Sequence, residues 1–325
     1  MTINITIIGL GQIGASIGLA LAENQTDARR IGHDKNPEVA TLAKKQGAVD
    51  EIKYNLPASV NNAAVVFLCL PLDQVRPTLE IIANDLKEGA LVVDVSPAKQ
   101  SLVTWVKDIL PAGRYYVGMT PALNPSYLHE AESGIGAAHA DLFKDATFLL
   151  DMPPHMPEQT VDLASNLIVV LGAKTMFSDS AEADGMMASV DLLPQLVAAA
   201  LLNSTLEQPG WQETRKMASK PYALVTAAIS DADGLREAAL SNKENTLRVL
   251  DSLISSLTNL REAIASHNAD WLGRRLKSAH DGRINWWDGR IRGDWKDSRE
   301  KLQMPSFSSQ MKQTFFGNRK KSSKE

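Results

Sequence analysis

The sequence predicts an α/β fold: a doubly wound parallel sheet of the Rossmann type, followed by an all-helical C-terminal domain. Three observations carry this. The chain opens on a β-branched run, Thr2–Ile8, which meets Gly9, Gly11 and Gly14 in the spacing G-x-G-x-x-G and then a helix-forming stretch. Short apolar runs then recur between helical stretches, without the polar alternation of a half-exposed sheet, as expected of parallel strands buried on both faces. From Asp184 onward the strand runs stop and helical patterns take over. The expected division is 1–180 for a dinucleotide-binding domain, 181–290 for a helical substrate and dimerisation domain, and 291–325 for a basic, disordered tail.

In the opening unit each glycine has a separate reason. Gly9 permits the tight turn, Gly11 lets backbone approach a pyrophosphate, and Gly14 lets the helix lie close on the strand. The helix N-terminus, with Gln12 and Ile13 between the glycines, offers unpaired N–H groups to the phosphates. A second strand, Asp27–His33, ends at Asp34, 20 residues after Gly14. An acidic residue at that spacing bonds ribose hydroxyls and repels a 2′-phosphate, so NAD is favoured over NADP. The same aspartate also suits the first position of the turn Asp34-Lys35-Asn36-Pro37, and Lys35 places a cation beside it.

The alternation continues. Pro37–Gln46 reads as a helix closed by Gly47, and a short strand lies near Ala48–Ile52. Ala63–Leu70 is a buried strand that holds Cys69 and ends at Leu70 and Pro71. Val75–Leu86 is a helix, and Gly89–Val95 a strand opening into Ser96-Pro97-Ala98-Lys99. Ser101–Leu110 is a helix, and Tyr115–Gly118 a strand opening into Met119–Asn124. Ala146–Asp151 and Lys174–Phe177 are two further strands with a helix, Glu158–Leu171, between them. Ligands of such sheets bind at the carboxyl ends of the strands. That places Leu70, Pro71 and Ser96 with the glycines as cofactor-binding candidates, and Lys99, Thr120 and Asn124 near the reacting end.

The helical part begins with Met186–Leu202, apolar nearly all round, which predicts burial, often between subunits. Pro194 must kink this helix or start a new segment. Asp191 and Gln195 lie on one stripe of it with Asp184, and an unpaired buried carboxylate is costly, so Asp191 should have a partner or line a cavity. Asp184 suits an N-cap. One long helix is expected over Gly234–His267, then a Trp- and Arg-rich stretch, Trp271–Arg299, and a polar tail, Gln303–Glu325.

Composition narrows the class. A formal net charge of −4 gives no general pull toward nucleic acid. The single cysteine excludes an internal disulfide, and with no signal-peptide pattern the expectation is a cytoplasmic protein. No apolar run reaches the roughly 18–20 residues of a membrane span, so no membrane partner is expected. The six histidines are scattered, without metal-ligand spacing, and no metal is expected.

The motif order GLGQIGASIGLAL, GHDKNPE, VVFLCLPLDQV, VVDVSPAK, YVGMTP and DLFKDATFLL, followed by Asp184, Leu193-Pro194 and LSNKENTLRVLDSL, resembles the prephenate/arogenate dehydrogenase family over Ile5–Ala265. The resemblance implies a Rossmann domain with a helical dimerisation domain. It also implies hydride transfer from a cyclohexadienyl alcohol to a nicotinamide, with decarboxylation, in tyrosine biosynthesis. In that family a histidine draws off the hydroxyl proton, and cationic and polar groups hold the carboxylates. By position, the family's histidines fall on Thr120, Leu192 and Ala183, its serine on Pro97 beside Ser96, and its substrate-binding arginine near Thr226. Lys99 is kept.

Candidate catalytic groups are therefore Lys99, Thr120 and Asp191, and candidate substrate-binding groups Asn124, Gln195 and Thr226. Two functions follow: a NAD-dependent oxidoreductase acting as a homodimer on a small carboxylated substrate, or a nucleotide-binding protein that has lost turnover. A reductase of the 6-phosphogluconate or pyrroline-carboxylate type is a third, disfavoured by the NKEN run and the place of Leu193-Pro194.

Overall fold

A computed structural model describes residues 3–24, 28–130, 132–153, 156–229, 231–293 and 295. Eight strands form one sheet: β1 Ile3–Ile8, β2 Ala28–His33, β3 Glu51–Ile52, β4 Ala63–Leu68, β5 Leu91–Asp94, β6 Tyr115–Pro121, β7 Thr147–Asp151 and β8 Lys174–Ser178. Their order is β3-β2-β1-β4-β5-β6-β7-β8. All neighbours are parallel except β6 and β7, which run antiparallel. β1 is flanked by β2 on one side and β4 on the other, so the order reverses there and leaves a crevice at its carboxyl end.

Side chains alternate between two apolar layers, as a pleated strand requires. Ile7, Phe67 and Val93 enter one layer with Ile17, Leu21, Phe143, Phe148 and Ile168. Their neighbours Ile8, Leu68 and Val92 enter the other with Leu79, Leu102, Tyr116, Leu192 and Leu235. Helices α1 Gln12–Glu23, α2 Pro37–Lys45, α3 Leu56–Val60, α4 Leu72–Ile82, α5 Gln100–Ile109 and α6 Glu158–Val170 complete the α/β part. Asn36 and Asn55 start α2 and α3, their side chains accepting from Glu38 N and Ala58 N, with proline in the first turn of each helix.

The helical part comprises α7 Ser180–Met187, α8 Leu193–Leu206, α9 Trp211–Thr214, α10 Lys220–Thr226, α11 Ala232–Ser241, α12 Lys243–Ala265 and α13 Ala269–Arg292. A π turn, Ala188–Leu192, joins α7 to α8. Pro194 has no N–H to continue the ladder, and the wider turn just before it absorbs the mismatch. The run Ser180–Leu206 is thus one continuous helical stretch, long and apolar enough by length and composition to cross a membrane, contrary to the sequence expectation. Within the single chain only Ala198 of α8 is buried.

The helix expected over Gly234–His267 is two. Asn242 separates α11 from α12 because its side-chain amide turns away to donate to the Asp184 carbonyl at 2.8 Å.

The chain divides into two compact units, Met1–Leu272 and Gly273–Glu325. In the second, the Arg283 guanidinium stacks on Trp286 and Trp287 at 4.9 and 4.8 Å from the ring centres. The expected tail, Gln303–Glu325, lies outside the described residues.

Candidate active site

The glycine turn lies between β1 and α1. Gly9 has φ +89°, and a Cβ there would sit 2.3 Å from the Cys69 carbonyl oxygen and 3.0 Å from Leu70 Cδ2. A Cβ on Gly14 would sit 1.9 Å from the Gly9 oxygen. Gly11 is different: a Cβ there meets nothing within 4 Å, so the space over it is open. Gly11 is also the N-cap of α1, and among the described residues no side chain caps that end. The first N–H groups of the helix, at Gln12 and Ile13, thus face an open cradle suited to a pyrophosphate.

Asp34 closes the turn from the β2 side. Its Oδ2 accepts from Leu10 N and its Oδ1 from Asn36 N, each at 2.8 Å. Asp34 thus shapes its own turn, as one sequence reading has it, and stands half-buried just past the end of β2. Pro71, at the start of α4, packs against α11, where a Cβ on Gly234 would come 3.1 Å from Pro71 Cβ. Burial and then Asp94 raise the Cys69 thiol above the ordinary range, which disfavours the thiolate.

The residues after β5 turn inward. Lys99 is fully buried, and its Nζ donates to Asp94 Oδ2 at 2.7 Å and to the Asp94 carbonyl at 3.1 Å. Ser96, 3% exposed, donates its hydroxyl to Asp94 Oδ2 at 2.8 Å, and Thr120 Oγ1 donates to the Ser96 carbonyl at 2.8 Å. Lys99, Ser96 and Thr120 are thus brought together, but in one internally bonded network. In this arrangement neither the Lys99 ammonium nor the Ser96 hydroxyl is open to a ligand.

Asp184 is not the N-cap of its own helix, since Asp179 accepts from Glu182 N and fills that role. Asp184 instead caps α5 from a distance, accepting from Lys99 N at 2.6 Å and Gln100 N at 3.2 Å. Burial raises its carboxyl, against the pull of those two N–H groups and of Lys99.

Asp191 and Gln195 lie together across the π turn, with Gln195 Nε2 3.3 Å from Asp191 Oδ2. Burial alone raises the Asp191 carboxyl. Asn124 shapes its turn: its Oδ1 accepts from Ser126 N, and its amide donates to the Asp141 carbonyl at 3.2 Å. Thr226 ends α10 with its hydroxyl on the Tyr222 carbonyl at 2.8 Å. Beside Asn124, Tyr127 stacks on His139 at 4.1 Å and donates to Asp141, which pushes its phenol up to about 12. His139 N in turn donates to Ser16 Oγ, seating this connection on α1.

The nucleotide-binding domain of prephenate dehydrogenase matches residues 17–177, and the dimerization domain of prephenate dehydrogenase matches residues 179–278. The chain belongs to the prephenate dehydrogenase family. It is 29% identical to a prephenate dehydrogenase of Bacillus subtilis over 282 residues, covering 86% of this chain and 75% of that protein. It is 26% identical to a cyclohexadienyl dehydrogenase of Zymomonas mobilis over 284 residues, covering 86% and 95%. The same fold is seen in the crystal structure of prephenate dehydrogenase from A. aeolicus in complex with hydroxyphenyl propionate and NAD+. There the TM-score is 0.75 at 23% identity, over 88% of this chain and 98% of that one. Within this family the chain is a nucleotide-binding oxidoreductase relative.

Three site residues escape sequence reasoning: Asp94, Tyr116 and Asp151. One signal pointed toward them. Gly118 lies inside a strand, which marks a close approach by another group.

Proposed function

We propose that this chain is a NAD-dependent oxidoreductase of prephenate dehydrogenase type. It would act as a cytoplasmic homodimer that takes hydride from a small carboxylated cyclic hydroxy acid. The observation that carries the reading is the open cradle over Gly11 at an uncapped helix N-terminus, with Asp34 at the tip of the neighbouring strand. Bound NAD would supply the hydride acceptor. Gly11, Gln12 and Ile13 hold its phosphates, Asp34 its ribose, and Leu70 and Pro71 flank the turn. Asp191 and Gln195 offer the polar pair for the substrate, and Asp191 is the one carboxyl in that pair that can take a proton. The matched dimerization domain supports a dimer through the C-terminal helices, and a single cysteine suits a reducing compartment.

A second reading has its own observation. Lys99, Ser96 and Thr120 bond to one another's strand ends rather than facing outward. A chain that binds NAD without turnover would look the same. Titration with NADH by fluorescence, followed by absorbance assays with prephenate, arogenate and other hydroxy acids, separates the two. Binding with turnover supports the oxidoreductase, and binding without turnover on every candidate supports the second reading. Absence of NADH binding overturns both.

A further inference from the structure

Three neighbouring strands carry one row of residues across the sheet. Asp94 of β5 is in register with Gly118 of β6, and Gly118 with Asp151 of β7. Residues in register point to the same face. Gly118 has no side chain, and the Lys99 arm fills the slot this leaves. A Cβ at 118 would come 2.8, 2.9 and 3.2 Å from Lys99 Cδ, Cε and Nζ. The ammonium therefore lies over the sheet between two carboxyls, one on each side.

It serves only one of them. Nζ bonds Asp94, and Asp151 Oδ2 has no hydrogen-bond partner among the described residues, although Asp151 is 2% exposed. The Tyr116 hydroxyl, equally buried, also lacks a bond of full geometry. The charged and titratable groups around Asp151 are Lys99 before α5, Asp94 on β5, Tyr116 on β6, and Asp179 and Asp184 at and in α7. Lys99 is the only cation among these, against three further carboxylates. A buried carboxylate without a partner is expensive, so its charged form is disfavoured. In agreement, burial raises the Asp151 carboxyl to about 6, with Asp184, Asp179 and Asp94 adding to the rise and Lys99 opposing it.

We propose that Asp151 is a buried proton-holding carboxyl which shares the Lys99 ammonium with Asp94 across Gly118, and that its proton decides which of the two Lys99 serves. With the proton on, Lys99 stays on Asp94 and the Ser96 turn is held inward. When Asp151 ionises, its proton passes to solvent water and the ammonium is drawn toward it. Asp94, left with Ser96, then loosens the strand end that carries Ser96 and Lys99. Asp151 is a positioning residue in this scheme. The proposal goes beyond the NAD reading and does not depend on it.

The test is carbon-13 NMR of the full chain labelled at aspartate Cγ and lysine Cε, followed through about pH 5 to 8, where ordinary aspartates are already ionised. The expected result is an aspartate titrating near the middle of that range whose midpoint is shared by one lysine Cε signal. Both changes disappear in Asp151→Asn. In Lys99→Met the aspartate midpoint rises, because the opposing cation is gone. If Asp151→Asn does not fold, Asp151→Glu keeps a titration at a displaced midpoint. A lysine-linked aspartate titration that survives Asp151→Asn overturns the proposal. So does a wild-type protein in which every aspartate is ionised throughout the range. Failure of NADH to bind would leave these signals untouched, so the two readings fail separately.

Discussion

Gly11 and Gly14 stand three residues apart and face opposite constraints. A side chain at 14 collides with the Gly9 carbonyl, whereas one at 11 enters open space. Gly11→Val should therefore leave the melting temperature close to wild type and abolish NADH binding in a fluorescence titration. Gly14→Val should instead lower stability directly, since backbone has to move to admit it. If Gly11→Val still binds NADH, the cradle assignment is wrong. Asp151 makes a second residue-level difference. Its carboxyl is raised in the folded state from an ordinary value of 3.8 to about 6. The folded protein thus binds that proton more tightly, and the stability it contributes is full below about pH 4 and lost as pH rises through about 6. Wild type should lose up to about 3 kcal/mol from this group between those limits. Asp151→Asn should flatten that part of the pH profile in urea titrations.

The element that joins the α/β part to the helical part is the N-terminus of α5, capped by Asp184. Asp184→Ala leaves the buried Lys99 N–H and the part-buried Gln100 N–H without a partner and should cost about 1–3 kcal/mol, read as a lower urea midpoint. Asp184→Asn keeps an acceptor and should cost less. Neither this cap nor the break at Asn242 was legible in the sequence, because each depends on a partner more than 50 residues away. The strands were legible. An apolar run such as Ala63–Leu70 can satisfy both faces only inside a parallel sheet, and the glycine spacing marks its own turn. Pro194 announced an irregularity but not its form, since a kink, a restart and a π turn all answer the same missing N–H. Lys99 shows the limit most clearly. A lysine after a strand reads as a group facing solvent or a phosphate, and only the register of Asp94 with Gly118 reveals that it folds back over the sheet.

Across the whole molecule, the apolar side chains left uncovered in the single chain concentrate in the helical part. Val190 is 70% exposed, Ile254 58%, Leu257 55% and Ile264 62%. Single exposed apolar residues are ordinary, but an apolar helix such as α8, in which only Ala198 is buried, is not, and uncovered apolar surface of this kind marks an association site. The dimer proposed through these helices would bury them, and its stability would then depend on protein concentration by mass action. Two results are expected. The melting temperature should rise with concentration. Sedimentation of Ile254→Glu combined with Leu257→Glu should show a monomer where the wild-type chain sediments as a dimer, since charge buried at an interface is costly unless paired. NADH should still bind the monomeric variant, because the glycine turn, Asp34 and Pro71 all lie within one chain. Turnover, if the wild type has it, should fall with dimerisation, because Asp191 and Gln195 are carried by the π turn and by α8, whose face the partner would cover. A wild-type chain that sediments as a monomer at every concentration would remove the dimer from the proposal and leave the cofactor cradle standing.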